Sequence, residues 1–144
     1  MRNKTFAVLC LAAFVGTLVI SVRFGNAWHA EVNLGESAVF SERELREAAD
    51  CVKRKFIAFK GCKMTDLWYD EARSNEFVAS YLENGKGAVN GVQPENAIVF
   101  LSNFKTDGWG GDGSFDPNAV YADWKWILIR DSENSGWLVD DWGY

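Results

Sequence analysis

The C-terminal stretch from Tyr121 to Tyr144 (YADWKWILIRDSENSGWLVDDWGY) constrains the fold more than any other part of the chain. Two aromatic-rich apolar runs flank the polar segment Asp131 to Gly136, the pattern of a β-hairpin. Trp124, Trp126 and Leu128 alternate with Lys125, Ile127 and Ile129, so both faces of the first strand are mostly apolar. A strand of that kind belongs inside a sheet, covered on one side and at least partly on the other.

Upstream, Ser41-Glu-Arg-Glu44 is a capping box, with Phe40 and Leu45 placed as a hydrophobic staple. Leu45, Ala48, Ala49, Val52, Phe56 and Phe59 then recur at helical spacing, predicting a helix from residue 42 that Gly61 ends. Strands are expected at 62–70, 98–104, about 119–130 and 136–142, with a second helix over 72–83. The expected architecture is α+β, a long helix lying across an antiparallel sheet of about four strands. Residues 41–144 form its single domain, preceded by a tether at 31–40.

The first 30 residues read differently. Arg2 and Lys4 precede the uncharged run 7–22 (AVLCLAAFVGTLVISV), a basic and then apolar pattern that enters the export pathway. The run is long for a signal-peptide core and short of the roughly 20 residues that span a bilayer comfortably. Two readings stay open: a single-pass membrane helix with the C-terminal domain outside, or a signal peptide cleaved near Ala27, after the small residues of Gly25-Asn26-Ala27.

Residues 31–144 hold 12 basic and 20 acidic side chains, a net charge of −8. Such a surface repels nucleic acid and anionic lipid. The only histidine, His29, lies at the leader boundary, so no imidazole is available from residue 31 onward. Ser-His-Asp and Cys-His catalytic units therefore cannot be built, nor can histidine-liganded zinc sites. In an oxidising compartment Cys51 and Cys62 are the natural disulfide pair, and two free buried thiols are the alternative.

Three candidate sites follow from the residues. In the glycine-rich loop 105–118, oxygen-bearing Asp112, Ser114, Asp116 and Asn118 alternate, with Asp123 as a closing ligand for calcium. Pro117 stands where a calcium loop needs glycine, and a turn bonded to its own amides is the plainer account. Trp68, Tyr69, Trp109, Trp124, Trp126 and Trp142 can line an aromatic pocket, with Asp66, Asp70, Asp123, Asp140 or Asp141 as acid and base groups. Trp109 can instead anchor another envelope protein or stack on cell-wall glycan; the alternative is an indole folded back onto the core.

FKGCKMTDLWYDE (59–71), GGDGSFDPN (110–118) and the closing WLVDDWGY (137–144) resemble a family of uncharacterised exported proteins of Gram-positive, gut-type bacteria. In that family such a domain follows a leader or anchor and ends in a similar Asp-Trp-Gly-Tyr. Related domains look to be attached to membrane-bound peptidase sensors of the kind that detect β-lactams. The element order is similar to the cone-shaped nuclear-transport-factor-2-like fold, which hosts enzymes and binding modules alike. The resemblance carries no catalytic residue. The expected function is a non-catalytic extracytoplasmic binding or sensing module without a cofactor; the alternative is a small histidine-free enzyme or ligand carrier.

Overall fold

Ser41 starts the long helix, α1 (Glu42–Phe56), and its backbone and side chain are both engaged in the capping box with Glu44. Leu45, Ala48, Ala49, Val52 and Phe56 form its buried stripe. Arg43–Glu47 and Arg46–Glu42 pair along the exposed side. The helix stops at Phe56, before the expected Gly61. Tighter three-residue bonds from Ile57, Ala58 and Phe59 close its end and turn Phe59 back into the core.

The computed structural model describes residues 24–144. Its remaining elements are the strands β1 (Glu31–Asn33), β2 (Cys62–Trp68), β3 (Ala97–Thr106), β4 (Val120–Ile129) and β5 (Leu138–Gly143). The helices α2 (Glu71–Asn84) and α3 (Gly87–Asn90) and a 3-10 turn at Pro94–Asn96 complete them. The strands lie in sequence order as one five-stranded sheet. β1 runs parallel to β2, and every other pair is antiparallel. The sheet is therefore mixed and five-stranded, where an antiparallel sheet of about four strands was expected.

The difference lies in the segment read as a tether. Glu31, Val32 and Asn33 pair with Asp66, Leu67 and Trp68. Ser37 and the Ala38 amide bond the Glu71 carboxylate at 2.7 and 2.9 Å, fastening the segment to the start of α2. Order reaches further upstream still. The Gly25 amide donates to Ile57 O, and Asn26 exchanges backbone bonds with Cys62 and Met64. The membrane helix expected within residues 1–30 falls mainly on residues 1–23, outside the described residues. Among the described residues no helix is long and apolar enough to cross a membrane.

Both faces of the sheet are covered, as the apolar alternation of β4 requires. Ile98, Phe100, Phe104, Trp126, Leu128 and Val139 pack on one face with the stripe of α1. Ala97, Val99, Ile127 and Ile129 face the other way and meet Val78, Phe77 and Leu82 of α2. Register shifts fall at Met64/Asp66, Ser102/Phe104 and Ile127/Leu128. Each bulge bends its strand and re-aims the next side chains. At the second, Asp123 takes a left-handed conformation with φ 55°.

Arg130, at the end of β4, joins the layers. It donates to Glu44 Oε1 at 2.7 Å and Asn96 Oδ1 at 3.2 Å, with its guanidinium 4.5 Å from the Trp137 ring centre. The capping carboxylate of α1 is thus also half of a buried ion pair. Arg130 and the Ser41 bonds hold the Glu44 carboxyl down to about 2.

Candidate functional site

The loop 107–119 between β3 and β4 is built by its own hydrogen bonds. Asp107 Oδ1 accepts from the amides of Trp109 at 3.0 Å and Gly111 at 2.9 Å, while its carbonyl accepts from Asn118 at 2.8 Å. Thr106 Oγ1 donates to Asp116 O and accepts from the Ala119 amide, fixing the return of the chain. Gly110 and Gly111 both adopt positive φ; a Cβ would lie 2.0 Å from Phe115 O at the first and 2.4 Å from Lys60 O at the second. Only glycine meets both demands. Phe115 folds inward and stacks on Phe59. Trp109 does the opposite and stands 84% exposed at the turn.

A second aromatic margin lies at the C-terminal edge. Trp124, Trp126 and Trp142 share the α1 face, since Trp126 opposes Trp142 in register. Trp126 is wholly buried, its Nε1 donating to Ser102 Oγ at 2.8 Å. Trp124 is enclosed by Phe59, Phe104, Phe115, Tyr121 and Tyr144. Its Nε1 is buried without a hydrogen-bond partner. Trp142 and Tyr144 are exposed, and Lys55 Nζ sits 4.3 Å over the Trp142 ring.

The six aromatics proposed from sequence do not form one pocket. Tyr69 is buried against Phe100, with desolvation raising its phenol, and Trp68 opposes Leu101 on the α2 face. Tyr69 shares the core cluster with Trp126, whereas Trp68 lies on the opposite face of β2. The carboxylates are also dispersed. Asp66 accepts from Thr65 and Asn103, Asp70 caps α2 through the Arg73 amide, and Asp123 pairs with Arg73 Nη1 at 2.9 Å. Asp140 accepts the Tyr81 hydroxyl at 2.7 Å, and Asp141 lies 3.6 Å from Lys86 Nζ. No two of these acids are drawn into the aromatic margin. Among the described residues the shifted carboxyls, Glu44, Glu71 and Asp112, all move toward the ionised form through hydrogen bonds.

The calcium set engages its own surroundings. Asp112 accepts from the Ser114 amide, the turn expected as the plainer account. Asp123 pairs with Arg73 Nη1 at 2.9 Å, while Asp112, Ser114, Asp116 and Asn118 lie in the loop. Among the described residues no three His, Cys, Asp or Glu side chains are grouped to hold a metal.

Cys51 and Cys62 are free thiols in this structure, which does not show the expected disulfide. Cys51, on α1, donates to Trp137 O at 3.2 Å, whereas Cys62, at the start of β2, turns to Lys60 O. The ten-residue spacing allowed a bridge, but the two side chains face different neighbours. Burial, with Asp107 and Asp112 nearby, pushes the Cys62 thiol up to about 11.

A cleft of about 900 Å³ runs between residues 31–37 and α1. Its walls carry Glu31, Glu42, Arg46, Asp50 and Lys53 over a floor of Phe40, Leu45 and Ala49. Sequence reasoning missed it because it depends on β1. Lys55 and Tyr144 were missed too, although the closing aromatic pair signalled that the C-terminus would be used.

One family profile, described as a domain of unknown function (DUF4829), matches residues 38–143. No curated protein and no solved structure matches the chain. The match begins in the segment leading into α1 and ends with β5, so it takes in both aromatic margins. On that span the chain belongs to the DUF4829 family of domains of unknown function.

Proposed function

We propose that this domain is a non-catalytic binding or sensing module at the cell envelope, held to the membrane by its N-terminal segment and working without a cofactor. The observation that carries this reading is Trp109, 84% exposed on a loop locked by its own hydrogen bonds. Leaving an indole in water forgoes about 2 kcal/mol of burial. A rigid loop that displays one has little ordering entropy left to lose on binding. Trp142 and Tyr144 add exposed aromatic surface at the C-terminal edge. The fitting partners are an envelope protein or cell-wall glycan, both of which indoles engage through flat apolar contact. The acidic net charge of residues 31–144 disfavours nucleic acid.

The extracytoplasmic location rests on Arg2, Lys4 and the uncharged run 7–22. The likeness to a cone-shaped fold rests on a helix laid over a bulged sheet. Phe56, Phe100, Phe104 and Trp126 fill that side, so the binding reading does not draw on an interior pocket.

The test is capture by the full-length chain of purified cell-wall glycan and, separately, of envelope proteins, against Trp109→Ala. Loss of capture in the variant upholds the reading. Equal capture by both forms removes Trp109 from it.

A further inference from the structure

We propose that the domain sits directly on the bilayer surface, through a patch made by Phe24, Trp28 and Ile57 beside Lys53 and Arg54. The inference rests on reading the N-terminal segment as a membrane anchor, and adds to it the face that meets the lipid headgroups.

Residues 24–27 are tied into the domain by backbone bonds. Gly25 N donates to Ile57 O at 3.0 Å, Asn26 N to Cys62 O at 3.0 Å, and Met64 N to Asn26 O at 2.8 Å. A Cβ on Gly25 would lie 1.9 Å from Phe56 O, and Ala27 belongs to the main core. The small residues that resemble a cleavage signal therefore have structural duties in the fold. In sequence, only Arg23 separates Phe24 from Val22, the last residue of the apolar run. Two residues reach at most about 7 Å. The surface around Phe24 is thus bound to lie at the headgroup level if the apolar run is in the bilayer.

The chemistry of that surface fits the location. Trp28 is 83% exposed, Ile57 is exposed in the same cleft, and Phe24, next to the Gly25 that bonds Ile57 O, is exposed too. Trp28 and Ile57 share a shallow cleft of about 170 Å³ with Lys53, Arg54 and one acid, Asp50. Indoles favour the interfacial zone of a bilayer. Each basic side chain near an anionic surface adds about 1 kcal/mol. Elsewhere residues 31–144 are strongly acidic, so this end of α1 is where an anionic membrane is tolerated.

The test uses the full chain in nanodiscs of anionic phospholipid brominated near the headgroup end of the acyl chain, with indole fluorescence as the readout. Bromination should dim the wild-type signal; Trp28→Phe should lose most of that quenching, and Trp109→Phe should keep it. Lys53→Glu combined with Arg54→Glu should reduce quenching in anionic discs and leave it unchanged in zwitterionic ones. Equal quenching of the wild type and Trp28→Phe would overturn the inference. Intact mass of the cellular product separates this from failure of the anchor reading: a chain retaining residue 24 and upstream upholds the anchor. A product that begins at Trp28 removes both.

Discussion

Cys62 illustrates how far a single residue's chemistry is set by its surroundings. Its thiol is buried at the base of β2, and desolvation together with Asp107 and Asp112 moves it to about 11. The thiolate is the reactive form, so this sulfur is inert at neutral pH. Cys62 should resist a thiol-specific reagent in the folded chain and react fully in denaturant, with no mass loss for a Cys51–Cys62 bond. Labelling followed by peptide mass measurement reads both outcomes. Sequence spacing could bring the two cysteines near each other along the chain but held no information on where each points. The tryptophans divide the same way. The alternation around Trp126 predicts a covered strand, and Trp126, grouped with the pocket aromatics from sequence, is wholly core. The exposure of Trp109 was not, because it depends on Gly110 and Gly111 taking positive φ against Lys60 and Phe115.

Among the elements, α1 was the most legible, since its cap, staple and stripe all lie within the helix and its entry. What sequence could not show is the second use of Glu44. The same carboxylate that closes the capping box pairs with Arg130, 86 residues away, and ties α1 to the hairpin. Its carboxyl titrates at about 2 folded against an ordinary 4.5, so its stabilisation is complete above pH 4.5. It is lost as pH falls from there toward 2. Glu44→Gln should therefore cost about 3 kcal/mol at pH 7, because Arg130 is left buried without its counter-charge. The penalty should shrink steadily in acid. Denaturant melts at pH 7 and pH 3 measure it, and an equal loss at both would contradict the ion-pair account. β1 was illegible for a different reason: three residues carry no periodicity, and parallel pairing to β2 is a long-range event. Gly25→Ala should cost about 2 kcal/mol or more, since the new methyl meets Phe56 O and the backbone must retreat. A thermal melt unchanged by that substitution would show that residues 24–27 do not hold β2 and α1 together.

At the scale of the molecule, a sheet covered on both faces followed from β4, and the α+β class from the helix signals at 41–59 and 72–83 set beside the strands. The strands pair as sequence neighbours even though α1 lies between β1 and β2 and α2 and α3 lie between β2 and β3. The candidate site was less legible. Alternation predicts which side of a strand a residue takes, but the bulges in β2, β4 and β5 change that side partway along, scattering aromatics and acids that looked grouped in sequence. What remains is a rigid acidic domain with an apolar and basic patch at its N-terminal end and Trp109 on display. The measurement that bears most directly on its role is in-cell crosslinking with a photoreactive residue at position 109 of the full chain. Val89, 88% exposed on α3, is the control position. The account predicts one discrete crosslinked species, protein or glycan, from position 109 and none from position 89. The same pattern from both positions, or no product from 109, would contradict it.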